Sequence, residues 1–547
     1  MNTASTKFIN VWRETQTYVK FIFVIAIIIG ICLRFVNIDY KVYWSDEAFT
    51  SLRISGYTEK ELFEHDFQGN VITVEDFRKK YQEVNEQKNV TNTVIGLGQE
   101  EAQLTPLYFV MVRIWSQLFG SGIWSIRLLS VIFSLISIAG IYWLCLELFK
   151  THLAGQIAAI LMSVSPFQVL FAQEARPYSL WTLMILLSSV AILRAMRLQN
   201  KLSWWVYSFT VALSLYTFLF SGFVIAGHGL YVLAIEKIKL TKNVTAYLRA
   251  SIFGAICFLP WILILIFNVH RSYKGIAWLG DRFEAPLLQR WIVNLGISFI
   301  DFGTGLNSHL TFFYCLPIAL LLAYATYFVY RHKDKNVKFF VAINTFFMII
   351  FLGLTDIVLK GQRSAITRYM IPFYIGAQIS ITYLFTYKLT EEHVDKLQRQ
   401  IWRSLLAIIS ILGIVSCLLI SQSSIWWNKG LTANDAPLTM GKSSNQKVID
   451  SINLDVNSDG KLKRKLIISN SDPGKLMAFS HSLDPKVNLL FLQYTDRLYN
   501  VPKHFDDIML YSPSESLLDS MKAKKTYKLS QVNQYGSSSF WKVEIVE

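Results

Sequence analysis

The sequence predicts a polytopic α-helical membrane protein with about eleven spans and a small C-terminal α/β domain on its outer face. Three observations carry this expectation. Of 547 residues, 53% are hydrophobic and 17% charged, whereas a soluble globular domain carries about a quarter charged residues. Apolar runs of roughly 20 residues, the length that crosses a bilayer, begin near Phe21, Ile123, Leu153, Ser179, Trp204, Leu219, Leu248, His309, Phe339, Tyr369 and Trp402. After Ser423 the apolar segments shorten to strand length, as in "KLIISN", "VNLLFL", "DIMLYS" and "FWKVEI", with helix-like stretches such as "ESLLDSMKAK" between them.

The first run, "FIFVIAIIIGICLRF", follows a polar basic leader and lacks a small-x-small cleavage site, so it reads as an uncleaved signal-anchor with a cytoplasmic N-terminus. The basic segments "FKTH", "RAMRLQNK", "EKIKLTKN", "YRHKDKNVK" and "HVDKLQRQIWR" then all fall on that side, as the positive-inside rule requires. An odd number of spans puts the tail outside. The expected domains are therefore a transmembrane domain, 1–422, whose first outer loop is 39–106, and an outer soluble α/β domain, 423–547. A second outer loop runs from about Asn268 to Ser308. The stretch Pro106 to Phe119 is apolar but short and reads as an interfacial helix. The formal net charge of +15 resides mainly in the inner loops, which argues against nucleic acid as a partner. Cys32, Cys145, Cys257, Cys315 and Cys417 all lie inside apolar runs with no CxxC spacing, so they read as core or lipid-facing hydrophobes.

Three outer elements could carry chemistry. "YWSDEAF" sets Asp46 and Glu47 a few residues beyond the first span. One reading is helix capping, with Ser45 as N-cap and the acids in the first turn. The sharper one is a general base or substrate-orienting acid, partly desolvated between Trp44 and Phe49. "FAQEARPYSLW" sets Glu174 and Arg176 in a very short turn, either as a structural ion pair or with Arg176 facing an anionic ligand. "LKGQRSAITRYMIP" places Lys360, Arg363 and Arg368 in one short loop on the side where the positive-inside rule disfavours them. Snorkelling explains one such residue better than three, and a cation cluster at the membrane surface marks a functional site. Arg through its bidentate fork and Lys as a point charge both suit a phosphate.

A carboxylate pair and a set of cations within reach of a lipid headgroup is the equipment for transferring a group from a lipid phosphate. Two adjacent carboxylates could share a divalent ion, but no third ligand accompanies them, so neither a metal nor another cofactor is expected. His228 and His309 have no ligand-spaced partners and read as core histidines; Trp204-Trp205 and Trp426-Trp427 read as interfacial belt.

In order along the chain, "SDEAF", "LTPLYFVMVRIWSQLFGSGIWSIRLLSVIFSL", "QEARPYSL" and "RYMIPFY" make the region from about Phe21 to Ser421 resemble the GT-C membrane glycosyltransferases. Within them it resembles family 39, which contains the protein O-mannosyltransferases and the lipid A aminoarabinose transferase. The resemblance implies a GT-C fold and an inverting transfer from a polyprenyl-phosphate sugar to a lipid, glycan or protein acceptor in the bacterial plasma membrane. Asp46 stands in the family's catalytic acidic position with Glu47 beside it. Arg176, Lys360, Arg363 and Arg368 would bind the donor phosphate, and Glu174, Tyr178 and Tyr369 would support them. Where many relatives read His-Pro-Pro, this chain reads Leu104-Thr105-Pro106, so no role of that histidine carries over. A transporter would instead be expected to have inverted repeats and mid-bilayer charges; a non-catalytic lipid-binding assembly protein is the other alternative.

Overall fold

The computed structural model describes residues 3–280, 286–306, 308–391, 394–427, 429, 450, 452–453, 463–492, 501–502, 504–535 and 538–546. The chain divides into two compact units. One comprises Met1–Ile38, Glu101–Tyr108 and Arg127–Gln422; the other comprises Asp39–Glu100, Phe109–Ile126 and Ser423–Glu547. One division between the two units falls between Gln422 and Ser423. The first loop, read from the sequence as part of the transmembrane domain, falls in the same unit as the tail.

The first unit is helical. Among the described residues, seven helices are long and apolar enough to cross a membrane: Thr15–Phe35, Ile123–Phe149, Tyr178–Leu198, Lys242–Phe267, His309–His332, Lys335–Leu359 and Lys396–Gln422. His152–Ser163 and Pro166–Ala172, bent by 61°, make an eighth if taken as one span. The three remaining expected positions also hold helices, Lys201–Thr217, Ser221–Ile235 and Ile371–Thr390. The first two are shorter than the roughly 20 residues a straight crossing needs. Ile371–Thr390 carries Gln378, Ser380, Thr382 and Thr386 and is buried along most of its length, so its surface need not match lipid.

The bend at Val164-Ser165 has a local cause. Pro166 suits a first helical position but cannot continue a preceding helix, and the Ser165 hydroxyl caps the new helix by accepting from Gln168 N. The carbonyls that the break leaves free are taken by Arg34, fully buried in the last turn of the first span. Its guanidinium donates to Ser163 O at 2.7 Å, Met162 O at 3.1 Å and Gly30 O at 2.7 Å, and its Nε to Ser134 Oγ at 2.9 Å. A Cβ at Gly30 would lie 2.6 Å from Ser163 O, so only glycine allows this approach. His228 is buried within reach of Ser189 Oγ and Tyr207 OH, 3.3 Å each, and behaves as a core histidine. Cys145, Cys315 and Cys417 are buried, and Cys32 and Cys257 are exposed.

The second unit is built on a six-stranded mixed sheet of order β1-β3-β2-β4-β6-β5. The strands are β1 (Gln68–Thr73), β2 (Lys465–Ser469), β3 (Asn488–Leu492), β4 (Asp507–Tyr511), β5 (Tyr527–Tyr535) and β6 (Ser538–Ile545). β2 is central and parallel to β3 and β4, and the outer pairings are antiparallel. Period-two alternation divides the side chains between two faces. Leu466, Ile468, Ile508, Leu510 and Val543 pack with Leu517 and Met521 of the helix Glu515–Ala523. Ile467, Leu489, Phe491, Met509 and Tyr511 pack with Ala48, Leu52, Phe77 and Tyr81 of the first loop. The tail therefore builds one core from its own residues, while the other is completed by the 39–100 segment, which also supplies β1. Trp426, read as part of an aromatic belt, is buried, with 2% exposed.

Candidate functional site

The acidic motif lies in the second unit and the cation set in the first. Asp46 and Glu47 occupy the first turn of the helix Ser45–Ser55. Ser45 is not its cap: the helix starts one residue earlier than the sequence suggested, and the N-cap is Trp44, with no side-chain cap bond. The two acids are separated by burial. Asp46 is half-buried, whereas Glu47 is fully buried and its Oε2 lies 2.9 Å from Lys429 Nζ, itself 1% exposed. Tyr43 OH donates to Glu47 O at 3.0 Å, and Thr50 Oγ1 donates to Asp46 O at 3.1 Å.

In the first unit, the turn carrying Glu174 and Arg176 is anchored by Gln173. Its Nε2 donates to the carbonyls of Leu33, Arg34 and Val36, at 3.0, 3.3 and 2.8 Å, where the first span ends. Glu174 and Arg176 are both buried, and Arg176 N donates to Glu174 O at 2.8 Å. Pro177 and Tyr178 then start the helix Tyr178–Leu198. The Arg368 guanidinium lies 5.8 Å from the ring centroids of both Tyr178 and Tyr369, within cation–π range. The structure thus brings Arg368, Tyr178 and Tyr369 together.

The loop holding the three cations is organised by a carboxylate that sequence reasoning did not single out. Asp356 sits fully buried near the end of the helix Lys335–Leu359. Its Oδ1 accepts from Arg363 N at 2.9 Å and from Arg363 Nη1 at 3.2 Å; its Oδ2 accepts from Ser364 N at 2.6 Å and Ser364 Oγ at 2.7 Å. A Cβ at Gly361 would overlap the Arg363 guanidinium and approach Leu279 O and Asp356 Oδ1 at 2.9 and 3.0 Å, which fixes glycine there. The helix Leu287–Gly296 buttresses the loop: Trp291 Nε1 donates to Ser364 Oγ at 3.0 Å, Asn294 Nδ2 to Ala365 O at 2.8 Å, and Thr367 Oγ1 to Asn294 Oδ1 at 3.1 Å. On the same helix, burial pulls the Arg290 guanidinium down to about 10, partly offset by Tyr374, so it stays charged at neutral pH. Lys360 is exposed and holds a left-handed φ of 53°. Arg363 is 28% exposed. The arrangement presents cations on a fixed backbone, which suits an anion. Among the described residues no group of three or more His, Cys, Asp or Glu side chains is disposed to hold a metal ion.

Residues 103–264 match the family model described as dolichyl-phosphate-mannose-protein mannosyltransferase. No curated protein sequence matches the chain. ArnT from Cupriavidus metallidurans in the apo state aligns with a TM-score of 0.56 at 11% identity, over 95% of this chain and 97% of that one. The same protein bound to undecaprenyl phosphate gives 0.54 at 11% identity, over the same shares. The alignments show the fold: the chain has the GT-C fold of ArnT, with a small C-terminal sheet domain, and its apolar helices make it a multi-pass membrane protein.

Proposed function

We propose that the protein is a glycosyltransferase that moves a sugar from a polyprenyl-phosphate donor to a lipid, glycan or protein acceptor at the outer face of the bacterial plasma membrane, with inversion. The observation that carries this reading is the fixed cation loop: Arg368 held against Tyr178 and Tyr369, and Arg363 on a backbone tied down by buried Asp356. The ArnT neighbour, whose fold this chain has, binds undecaprenyl phosphate. In the reaction, Asp46 takes the proton from the acceptor hydroxyl or amine as it attacks the anomeric carbon. The bond from that carbon to the phosphate oxygen breaks with its electron pair going to the phosphate, and Arg363 and Arg368, with Lys360 and Arg176, stabilise the charge that develops there. A single displacement inverts the anomeric centre. No cofactor or metal is assigned a step.

The test is transfer from a panel of undecaprenyl-phosphate sugars by purified protein in lipid nanodiscs, with reporters after Glu547 and near Lys335 reading outside and inside. A transporter would move lipid or sugar across the bilayer without forming a glycosidic bond. A lipid-binding assembly protein would bind donor without turnover, and Asp46→Asn would leave it unaffected. Both reporters on one side would remove the outer-face assignment.

A further inference from the structure

The tail enters the acidic motif directly. Val42 N donates to Ser424 O at 2.9 Å, Lys429 Nζ donates to Val42 O at 3.0 Å, and the same ammonium donates to Glu47 Oε2 at 2.9 Å. These three bonds tie Ser424 and Lys429 to Val42 and Glu47. A fourth contact comes from the helix Pro473–Ser480: a Cβ at Gly474 would lie 2.5 Å from the Phe49 ring and 3.0 Å from Ser45 Cβ, so this glycine lets the tail helix close on the first turn of Ser45–Ser55. Both ends of the Glu47–Lys429 pair are essentially out of solvent, at 0% and 1% exposure.

A wholly buried ion pair is weak evidence of stabilisation, because desolvation of both charges offsets their attraction; losing one partner is the expensive event, since it strands the other charge. What such a pair supplies is a fixed geometry. Glu47 is adjacent to Asp46 in the same helical turn, so pinning the Glu47 side chain sets the azimuth and depth of that turn and with it the direction of the Asp46 side chain. We infer that Lys429 of the tail is a positioning residue for Asp46, and that the tail is thereby part of the catalytic apparatus. Glu47 is then an anchor, not a second acid. The catalytic half of this statement rests on the reading of Asp46 as the general base; the structural half does not.

The experiment separates the two halves. In the full-length protein in nanodiscs, amide hydrogen exchange is followed in residues 42–51 and in β2–β4, and kcat and KM are measured with undecaprenyl-phosphate mannose and whichever panel sugar the wild type uses. Lys429→Met should raise exchange in 42–51 by at least about tenfold while β2–β4 stay protected, and should lower kcat with little change in KM. Lys429→Arg should recover part of both, and Lys429→Met combined with Glu47→Gln should be less impaired than Lys429→Met alone, because no charge is left stranded. Unchanged exchange in 42–51 with unchanged kcat overturns the inference, as does exchange that rises equally in β2–β4 in both Lys429→Met and Lys429→Arg. If the wild type transfers no panel sugar, the glycosyltransferase reading fails while the exchange data still decide whether Lys429 holds the motif.

Discussion

Two fully buried carboxylates, Glu47 and Asp356, each pair with a cation, and they do opposite jobs. Glu47 meets Lys429 with both groups sealed from solvent. Asp356 meets an Arg363 that remains 28% exposed, and most of its hydrogen-bonding capacity goes to backbone N–H groups and a hydroxyl of the loop. In the first case the cation serves the carboxylate and the Val42 carbonyl, and both charged groups are sealed from solvent. In the second the carboxylate serves the loop, leaving part of the guanidinium available. A buried acid beside a base is therefore not by itself a sign of chemistry; what matters is which partner still reaches outward. On this criterion Glu47 is a closed anchor, and Asp356 is the support of a loop whose Arg363 still faces outward.

The largest effect that would sharpen the contrast is at Asp46. Asp46→Asn should lower turnover by about 100-fold or more, the usual scale of general acid–base catalysis, with donor binding retained. Glu47→Gln, which keeps an acceptor for Lys429, should cost less. Near-normal turnover in Asp46→Asn would reduce the motif to a helix N-terminus carrying acids for its dipole.

Next comes Arg368. Arg368→Ala should cost roughly 2 to 4 kcal/mol of transition-state stabilisation if the guanidinium meets charge as it develops on the phosphate. Arg368→Lys should retain part of the activity: the charge remains, but the planar fork is lost and the cation–π contacts with Tyr178 and Tyr369 change. Wild-type donor binding and turnover in both variants, measured on folded protein, would make Arg368 a headgroup anchor only.

These two predictions concern residues that were legible in the sequence; their supports were not. The cations of 360–368 stood out because they break a charge rule, and Asp46 because two acids abut a span. Asp356 sits inside "FLGLTDIVLK", where a lone acid near the end of an apolar run gives no hint that it will turn back to take the next loop. Lys429 follows Trp426-Trp427 with nothing in its neighbourhood to name a partner, which lies 382 positions earlier. β1 is equally hidden: "QGNVIT" is a plausible short strand, but periodicity does not name a partner, and its neighbour in the sheet is β3, more than 400 residues on. Helices were found at all eleven expected positions because apolar length is a local property. β2, β3, β4 and β6 were legible as short apolar runs for the same reason; β1 and the Glu47–Lys429 pair were not, because each joins segments distant along the chain, and the Asp356–Arg363 pair was not, because a turn that closes over seven residues leaves no periodic signal.

Asp356→Asn breaks the comparison from the other side. Asparagine keeps one acceptor oxygen but turns its amide toward a donor, so either the Arg363 pair of bonds or the Ser364 pair is lost. The expected cost is about 1 to 3 kcal/mol, the penalty for leaving buried groups unsatisfied. Because the loop's arginines are proposed to stabilise charge as it develops on the donor phosphate, kcat and kcat/KM for the donor should both fall. Wild-type kcat and KM in Asp356→Asn would show that the bonds from Arg363 and Ser364 to Asp356 do not position the loop for the reaction.

The smallest effect is a pH dependence at a carboxylate of the intermediate kind, neither sealed nor solvated. Glu61 closes a capping box with Thr58 at the start of the helix Glu59–His65 and pairs with Lys88 at 2.6 Å. Burial acts to raise its pKa, but hydrogen bonds from Lys88 and from the Thr58 backbone and hydroxyl, with the Lys88 charge, outweigh it and hold the carboxyl below its ordinary value. A carboxyl depressed in the folded state contributes stability that is present above the unfolded value, about 4.3, and is lost as pH falls through the folded value. Exchange protection of residues 59–65 should therefore be constant at neutral pH and decline in acid below about pH 4.3. Glu61→Gln should lower the neutral-pH protection modestly, since a pair 30% exposed on its acid side is screened by water, and should flatten the acid decline. An acid decline in Glu61→Gln as steep as in the wild type would show that another group governs the opening of this helix, and that Glu61 belongs with the solvated surface acids and not with Glu47 and Asp356.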